Sequence, residues 1–343
     1  MQSLVPVQAK ISPVPEAGSR GYNRLSQVLA TDENVQFGSF APLPSNVSAA
    51  EAALLFACGM EQFVAIVGPS GWGKSHLVRA ARTRLSLEAG PTPTLTSALD
   101  FIAAPGRFDL TAPLLLDNVQ DAMKLTRSRL RLRLALERRV RGGRPTFLAF
   151  TSPMGATWLK SHLPSASDWT LATIREPKND ERFILVNHLA RAYSMEIGSG
   201  LAGMIATTIS GNGRTLRGVL QRLSMYGSGW QGSTATIRAL GILNSFFADS
   251  PTWDLVQMAI DAETSRDLTT YTLLRVAQLP EDLVAQRLGS NPGAIYRTTQ
   301  SVARRLATSP DAQRQLDLYL DRLNDSMLSQ QTRILIGDGR PRN

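Results

Sequence analysis

The segment Gly68-Pro69-Ser70-Gly71-Trp72-Gly73-Lys74-Ser75 follows directly on the apolar run Phe63-Val64-Ala65-Ile66-Val67 and leads into a helical pattern from His76 to Arg84. A short, uninterrupted apolar run of this kind reads as a strand buried on both faces, which calls for a sheet covered by helices above and below. The spacing Gly-x4-Gly-Lys-Ser between such a strand and a helix is that of a P-loop. Its glycines let successive backbone N–H groups turn toward a phosphate, and the helix that follows aims its positive end at the same charge. Lys74 is then expected to neutralise the β- and γ-phosphates and the Ser75 hydroxyl to ligate Mg²⁺. The expected nucleotide-binding set is Gly68, Pro69, Ser70, Gly71, Trp72, Gly73, Lys74, Ser75 and His76, with ATP or ADP and Mg²⁺ as cofactors.

Two further apolar runs, Pro113 to Leu116 and Thr146 to Phe150, flank a helix-like stretch from Ala122 to Arg141. Strands alternating with helices predict an α/β fold with a parallel sheet. The first run ends in Asp117-Asn118. Asp117 is the candidate for holding Mg²⁺ through water, or else caps the next helix. Asn118 stands where hydrolysing relatives of this arrangement carry a second acid. An amide positions water but cannot take its proton, so Asp117 and Asn118 as the catalytic pair predict slow hydrolysis and weak or absent ATPase activity.

After Pro177 the strand signals mostly stop. Asp180 to Tyr193, Leu201 to Ser210, Thr215 to Tyr226 and Thr236 to Phe247 read as helices, and a further helical block runs from Thr252 to about Leu328. The expected organisation is a flexible arm at 1–35, a nucleotide-binding core at 36–176, a helical lid at 177–248, a helical domain at 249–328 and a tail at 329–343. With 43% hydrophobic residues the 343-residue chain can bury a substantial core. Its 37 basic against 28 acidic side chains, a net +9, suit a polyanion such as nucleic acid. The single cysteine, Cys58, excludes an internal disulfide and is expected on a buried helix face. No apolar stretch is long enough for a membrane span and no secretion signal opens the chain, so a cytoplasmic protein with no membrane partner is expected.

The sequences Gly68 to Leu77 and Leu114-Leu115-Leu116-Asp117-Asn118-Val119-Gln120 resemble the AAA+ core of the bacterial replication initiator DnaA and its shorter regulatory relatives. Phe37-Gly38-Ser39-Phe40 and Pro44-Ser45-Asn46 are similar to the family's segment near the adenine. Asn212 to Gly218 is similar to its lid motif and implies that Arg214 senses the γ-phosphate. Leu279 to Gly289 and Ser301 to Leu323 look like the family's helix-turn-helix DNA-binding domain, so the resemblance covers about Phe37 to Leu323. The residues agree with a helix at 284–288, a turn at 289–293 and a second helix at 294–306. Arg297, Arg304 and Arg305 are the expected DNA-facing side chains, with Thr298, Thr299 and Gln300 as base or phosphate contacts.

Departures are equally specific. Asn291-Pro292-Gly293-Ala294 replaces the family's Asp-His-Thr-Thr, and the segment from Phe101 to Leu114 is much shorter than the stretch where the initiator inserts a helix that engages single-stranded DNA. Ser161-His162-Leu163 stands where the family has Ser-Arg-Phe with its arginine finger, and Thr151-Ser152-Pro153 lacks the usual sensor acid. Between the central strands lies an arginine-rich helix with Arg127, Arg129, Arg131, Arg133, Arg138, Arg139, Arg141 and, just beyond it, Arg144. Its arginines surround most of a helix, so some are expected to face DNA, an acidic partner or a neighbouring subunit. The resemblance implies an ATP-binding protein of double-stranded DNA, acting in replication initiation or its regulation, with replication proteins or a DnaA-like partner and assembly on DNA. The alternative is an AAA+ adaptor or loader that recruits a helicase or transposition enzyme.

Overall fold

The structure is a computed structural model and describes residues 35–88, 90–152, 160–247, 254–262 and 265–336. The expected arm falls outside these residues except for Val35, as do Pro153 and the last part of the expected tail. The chain divides between Pro177 and Lys178 into two compact units.

The first unit is built on a five-stranded sheet in the order β2-β3-β4-β1-β5, with β1 at Phe63–Gly68, β2 at Thr94–Ser97, β3 at Leu114–Asp117, β4 at Thr146–Thr151 and β5 at Thr170–Thr173. All neighbouring strands run parallel. Strand β1 is buried along its whole length, and its residues alternate between two cores. Phe63, Ala65 and Val67 face Leu114, Leu116, Leu148 and Phe150, under the helices α4 (Ala98–Ala103), α5 (Val119–Met123) and α6 (Thr126–Arg141). The opposite side carries α2 (Val47–Ala57) and α3 (Lys74–Leu85), with Phe56 packed on Phe147 at 5.3 Å between ring centroids. A short helix α1 (Val35–Gly38) precedes them. Cys58, expected on the buried face, caps the C-terminus of α2 and is exposed.

Helix α6 buries a narrow stripe of Leu132, Leu136 and Arg139. Arg139 is 3% exposed, and its guanidinium donates to Thr146 Oγ1 at 2.8 Å and to the carbonyls of Leu110, Ala112 and Pro145 at 3.1, 2.8 and 2.9 Å. It thus ties the end of α6 to the starts of β3 and β4. Burial pushes its pKa down to about 10, with the nearby Arg144 adding to the shift, so it remains charged at neutral pH.

The second unit comprises α7 (Asn179–Ala192), α8 (Ser199–Thr208), α9 (Gly213–Ser224), α10 (Gly232–Phe247), α11 (Leu255–Asp261), α12 (Arg266–Tyr271) with a π-turn at Thr272–Val276, α13 (Glu281–Arg287), α14 (Pro292–Thr308) and α15 (Pro310–Ile336). A two-residue parallel pair, β6 (Glu196–Ile197) with β7 (Gly229–Trp230), interrupts them. One hydrophobic core runs from Val186 to Met327, so the stretches expected as lid and as DNA-binding domain share their interior. The tail expected from 329 begins within α15. Among the described residues no helix is long and apolar enough to cross a membrane.

Replacing Arg139 with Leu roughly keeps the bulk and removes the donors to Thr146 Oγ1 and to the carbonyls of Leu110, Ala112 and Pro145, of which the Ala112 contact is buried. Chemical denaturation is expected to show a loss of about 2–4 kcal/mol. The exposed Arg131→Leu change should stay within about 0.5 kcal/mol.

Candidate phosphate-binding site

Strand β1 delivers the glycine loop to the carboxyl edge of the sheet. Gly68 has no room for a side chain, since a Cβ there would lie 2.5 Å from the Ile174 carbonyl oxygen at the end of β5. Gly73, the residue before α3, has φ +97°, and a Cβ on it would meet the Phe40 ring at 2.8 Å. The loop is therefore shaped by glycine from both ends. Gly73 has no side chain with which to cap α3, and the N–H groups of a helix's first turn lack intrahelical partners. Lys74 is buried, and its Nζ donates to the carbonyls of Gly68 at 2.8 Å and Pro69 at 2.5 Å. Ser75 and His76 are half-buried and Trp72 is buried.

The segment Phe37 to Asn46 packs around this loop. Phe40 lies 5.4 Å from the His76 ring, and Ser39 Oγ is 3.4 Å from His76 Nε2. Asn46 accepts from the Leu43 amide and donates to the Ala41 carbonyl, and the Arg175 amide donates to Ser45 O, so the segment is fastened to the chain leaving β5.

Asp117 ends β3 and is half-buried, with its carboxylate accepting from the Asn118 amide at 2.8 Å. Asn118 is exposed in the left-handed region at φ 53°, which asparagine tolerates better than most residues, and it stands at the N-terminus of α5. One strand, β4, lies between β3, which ends in Asp117, and β1, which leads into the glycine loop. Gln120 spans part of that gap. Its amide reaches Asn118 Oδ1 at 3.4 Å, and its Oε1 accepts from the Thr151 amide at 2.9 Å. The Ser152 amide in turn donates to Gly68 O at 3.2 Å. Three strand ends are thus joined in one polar chain, and Gln120, quoted in the motif without a role, is its middle link. Ser161 and His162 pair with each other at 2.9 Å, and Leu163 is buried.

Arg214 belongs to the second unit, exposed on the first turn of α9, whose N-terminus is capped by the Asn212 side chain. The loop ahead of it is held by Arg182, which sequence reasoning passed over. That guanidinium is buried and donates to the carbonyls of Ala206, Ile209 and Gly211 at 2.7, 2.5 and 2.9 Å.

Also in the second unit, α13 and α14 are joined by the turn Leu288 to Asn291, and Asn291 caps α14 by accepting from the Ala294 amide at 2.7 Å. The second helix starts at Pro292 because proline suits a first helical position. Arg297, Arg304 and Arg305 are exposed, and Thr298 and Gln300 are half-buried at the flanks. Thr299 is a correction. It is 2% exposed, its hydroxyl donates to Ile295 O, and it shares the buried stripe of α14 with Ile295 and Val302, so it cannot face DNA. Ser301, four residues after Arg297 and so on the same face of the helix, is exposed as well, and Tyr296 is exposed on the adjoining face.

The glycine loop between a buried parallel strand and a helix makes this a P-loop α/β protein. Among solved structures the chain is similar to domain III of the replication initiation protein DnaA from Thermotoga maritima, at 18% identity and a TM-score of 0.51, covering 63% of this chain and 98% of that one. It is also similar to AMPPCP-bound DnaA from Aquifex aeolicus, at 15% identity and 0.46 over 85% and 96% of the two chains. A third similarity is to the RuvB Holliday junction branch migration motor of Thermotoga maritima, at 14% and 0.45 over 77% and 87%. No family model and no curated protein matches the sequence. Over 63% of its length the chain has the fold of DnaA domain III.

Gly73→Ala combines a left-handed residue with a clash against Phe40, and is expected to cost about 2 kcal/mol in chemical denaturation. A double-mutant cycle with Phe40→Ala should return a coupling of about 0.5–1 kcal/mol. Zero coupling would mean that the ring does not constrain the glycine.

Proposed function

We propose that the chain binds ATP or ADP with Mg²⁺ on the Gly68–Ser75 loop, hydrolyses it slowly, and binds double-stranded DNA in replication initiation or its regulation. The observation that carries this reading is the glycine-shaped turn between buried β1 and the uncapped start of α3, with Lys74 lying along it. Backbone amides and one ammonium group form a cradle for a triphosphate. The donor set fits Mg²⁺ as well, because one hydroxyl (Ser75) and one carboxylate (Asp117) suit an ion that otherwise keeps phosphate oxygens and water. The ion, when bound, neutralises charge on the β- and γ-phosphates. Asn118 positions water without accepting its proton, which keeps turnover low and the nucleotide resident. Arg214 acts as the reporter of the γ-phosphate, a role suited to its permanently charged fork. The replication setting rests on the fold shared with DnaA domain III, and DNA binding on the exposed arginines of α14. Asn118 also favours a second reading, an adaptor or loader that uses a long-lived nucleotide state to recruit a helicase or transposition enzyme.

Replacing Arg214 with Ala should weaken ATP about tenfold while leaving ADP nearly unchanged, measured by competition for a fluorescent nucleotide; equal loss for both would remove the sensor role. In mobility shifts with the full chain, Arg297→Ala with Arg304→Ala should reduce duplex affinity and lower the slope of log affinity against log salt by about 1 per residue. Sharp, sequence-dependent shifts support the DNA-reading protein. Weak shifts that vanish with salt move the assignment to the adaptor.

A further inference from the structure

Helix α6 has a second face that neither nucleotide nor fold accounts for. Opposite its buried stripe, at spacings of three and four, stand Arg127, Leu130, Arg131, Leu134, Arg138 and Arg141, all exposed, with Leu130 at 58% and Leu134 at 48%. Arg133, at the border, is paired with Glu137 at 3.3 Å. The four arginines of the stripe have no ion-pair partner among the described residues. Like charges at such spacings, as in Arg127 with Arg131 and Arg138 with Arg141, disfavour the helix by a few tenths of a kcal/mol each. A face held at that cost, with two large apolar groups in water between the charges, is complementary to one kind of surface.

We propose that this stripe is a docking surface for an acidic amphipathic helix of a partner protein, which sets carboxylates against Arg127, Arg131, Arg138 and Arg141 and an apolar ridge over Leu130 and Leu134. Arginine forks take carboxylates in paired hydrogen bonds. The leucines decide between partners, because a phosphodiester backbone would satisfy the arginines and leave Leu130 and Leu134 without an apolar counterpart. A second copy of the same stripe brings the same charge and is repelled. Residues 1–34 do not supply the acid either, since Glu16, Asp32 and Glu33 are balanced there by Lys10, Arg20 and Arg24. This inference goes beyond the nucleotide and DNA reading and stands without it.

The test uses the full chain and a fluorescent helical peptide of Glu, Ala and Leu, with leucines spaced by three and four and glutamates on both sides of them. A control peptide carries Ser for each Leu at the same charge, and duplex and single-stranded oligonucleotides are titrated in parallel. Anisotropy is expected to show peptide binding that falls about tenfold or more for Leu130→Ser with Leu134→Ser, for Arg131→Gln with Arg138→Gln, and for the serine peptide against wild type. These positions are exposed, so thermal unfolding should stay cooperative and shift by no more than a few degrees in both variants. Peptide affinity indifferent to the leucine substitutions overturns the proposal. So does an oligonucleotide affinity that drops with the arginine variant while the peptide fails to bind, and so does a mass above the monomer in light scattering that the arginine variant abolishes.

Discussion

The first unit depends on β1 having a partner on each side and a core on each face. Phe63 to Gly68 pair with Thr146 to Thr151, and Val64 to Val67 pair with Thr170 to Thr173. With its register fixed twice and its side chains buried alternately in two cores, the strand has no freedom to slide, because a shift of one residue would turn every buried side chain to the wrong core. The glycine loop therefore leaves the sheet at one place and in one direction. Its shape is a consequence of packing that extends through most of the unit.

That constraint explains why the polar groups at the sheet edge act as a set. The ends of β3, β4 and β1 are joined through Asn118, Gln120, Thr151, Ser152 and Gly68. Far from that edge, Arg139 fastens the other ends of β3 and β4 to α6. Two polar clusters at opposite ends of the same strands hold the sheet against shear, and the outward arginines of α6 are left for other contacts.

Much of this was legible because the central strands and the loop are written in strong local patterns. The runs at β1, β3 and β4 are continuous and apolar since those strands are buried on both faces. The two edge strands were not legible for the same reason in reverse. Thr94-Leu95-Thr96-Ser97 is half-buried throughout and Thr170-Leu171-Ala172-Thr173 nearly so, and they carry only one and two apolar residues. Nor does any local signal state that β4 inserts between β1 and β3, since strand order is a property of crossovers. At the candidate DNA-facing helix the error concerns orientation. Thr299 sits on a buried helical stripe, and its spacing from Ile295 and Val302 would have shown it, but a polar type argued for the surface.

On the proposed function the glycine loop and Lys74 together hold a triphosphate. Isothermal titration of the full chain with Mg–ATP, beside the Lys74→Met variant, tests it most directly. Saturable binding by the wild type is expected, with at least about a tenfold loss in the variant, whose unfolding should stay cooperative. No heat of binding to folded wild-type protein, or equal affinity in the two, would contradict it.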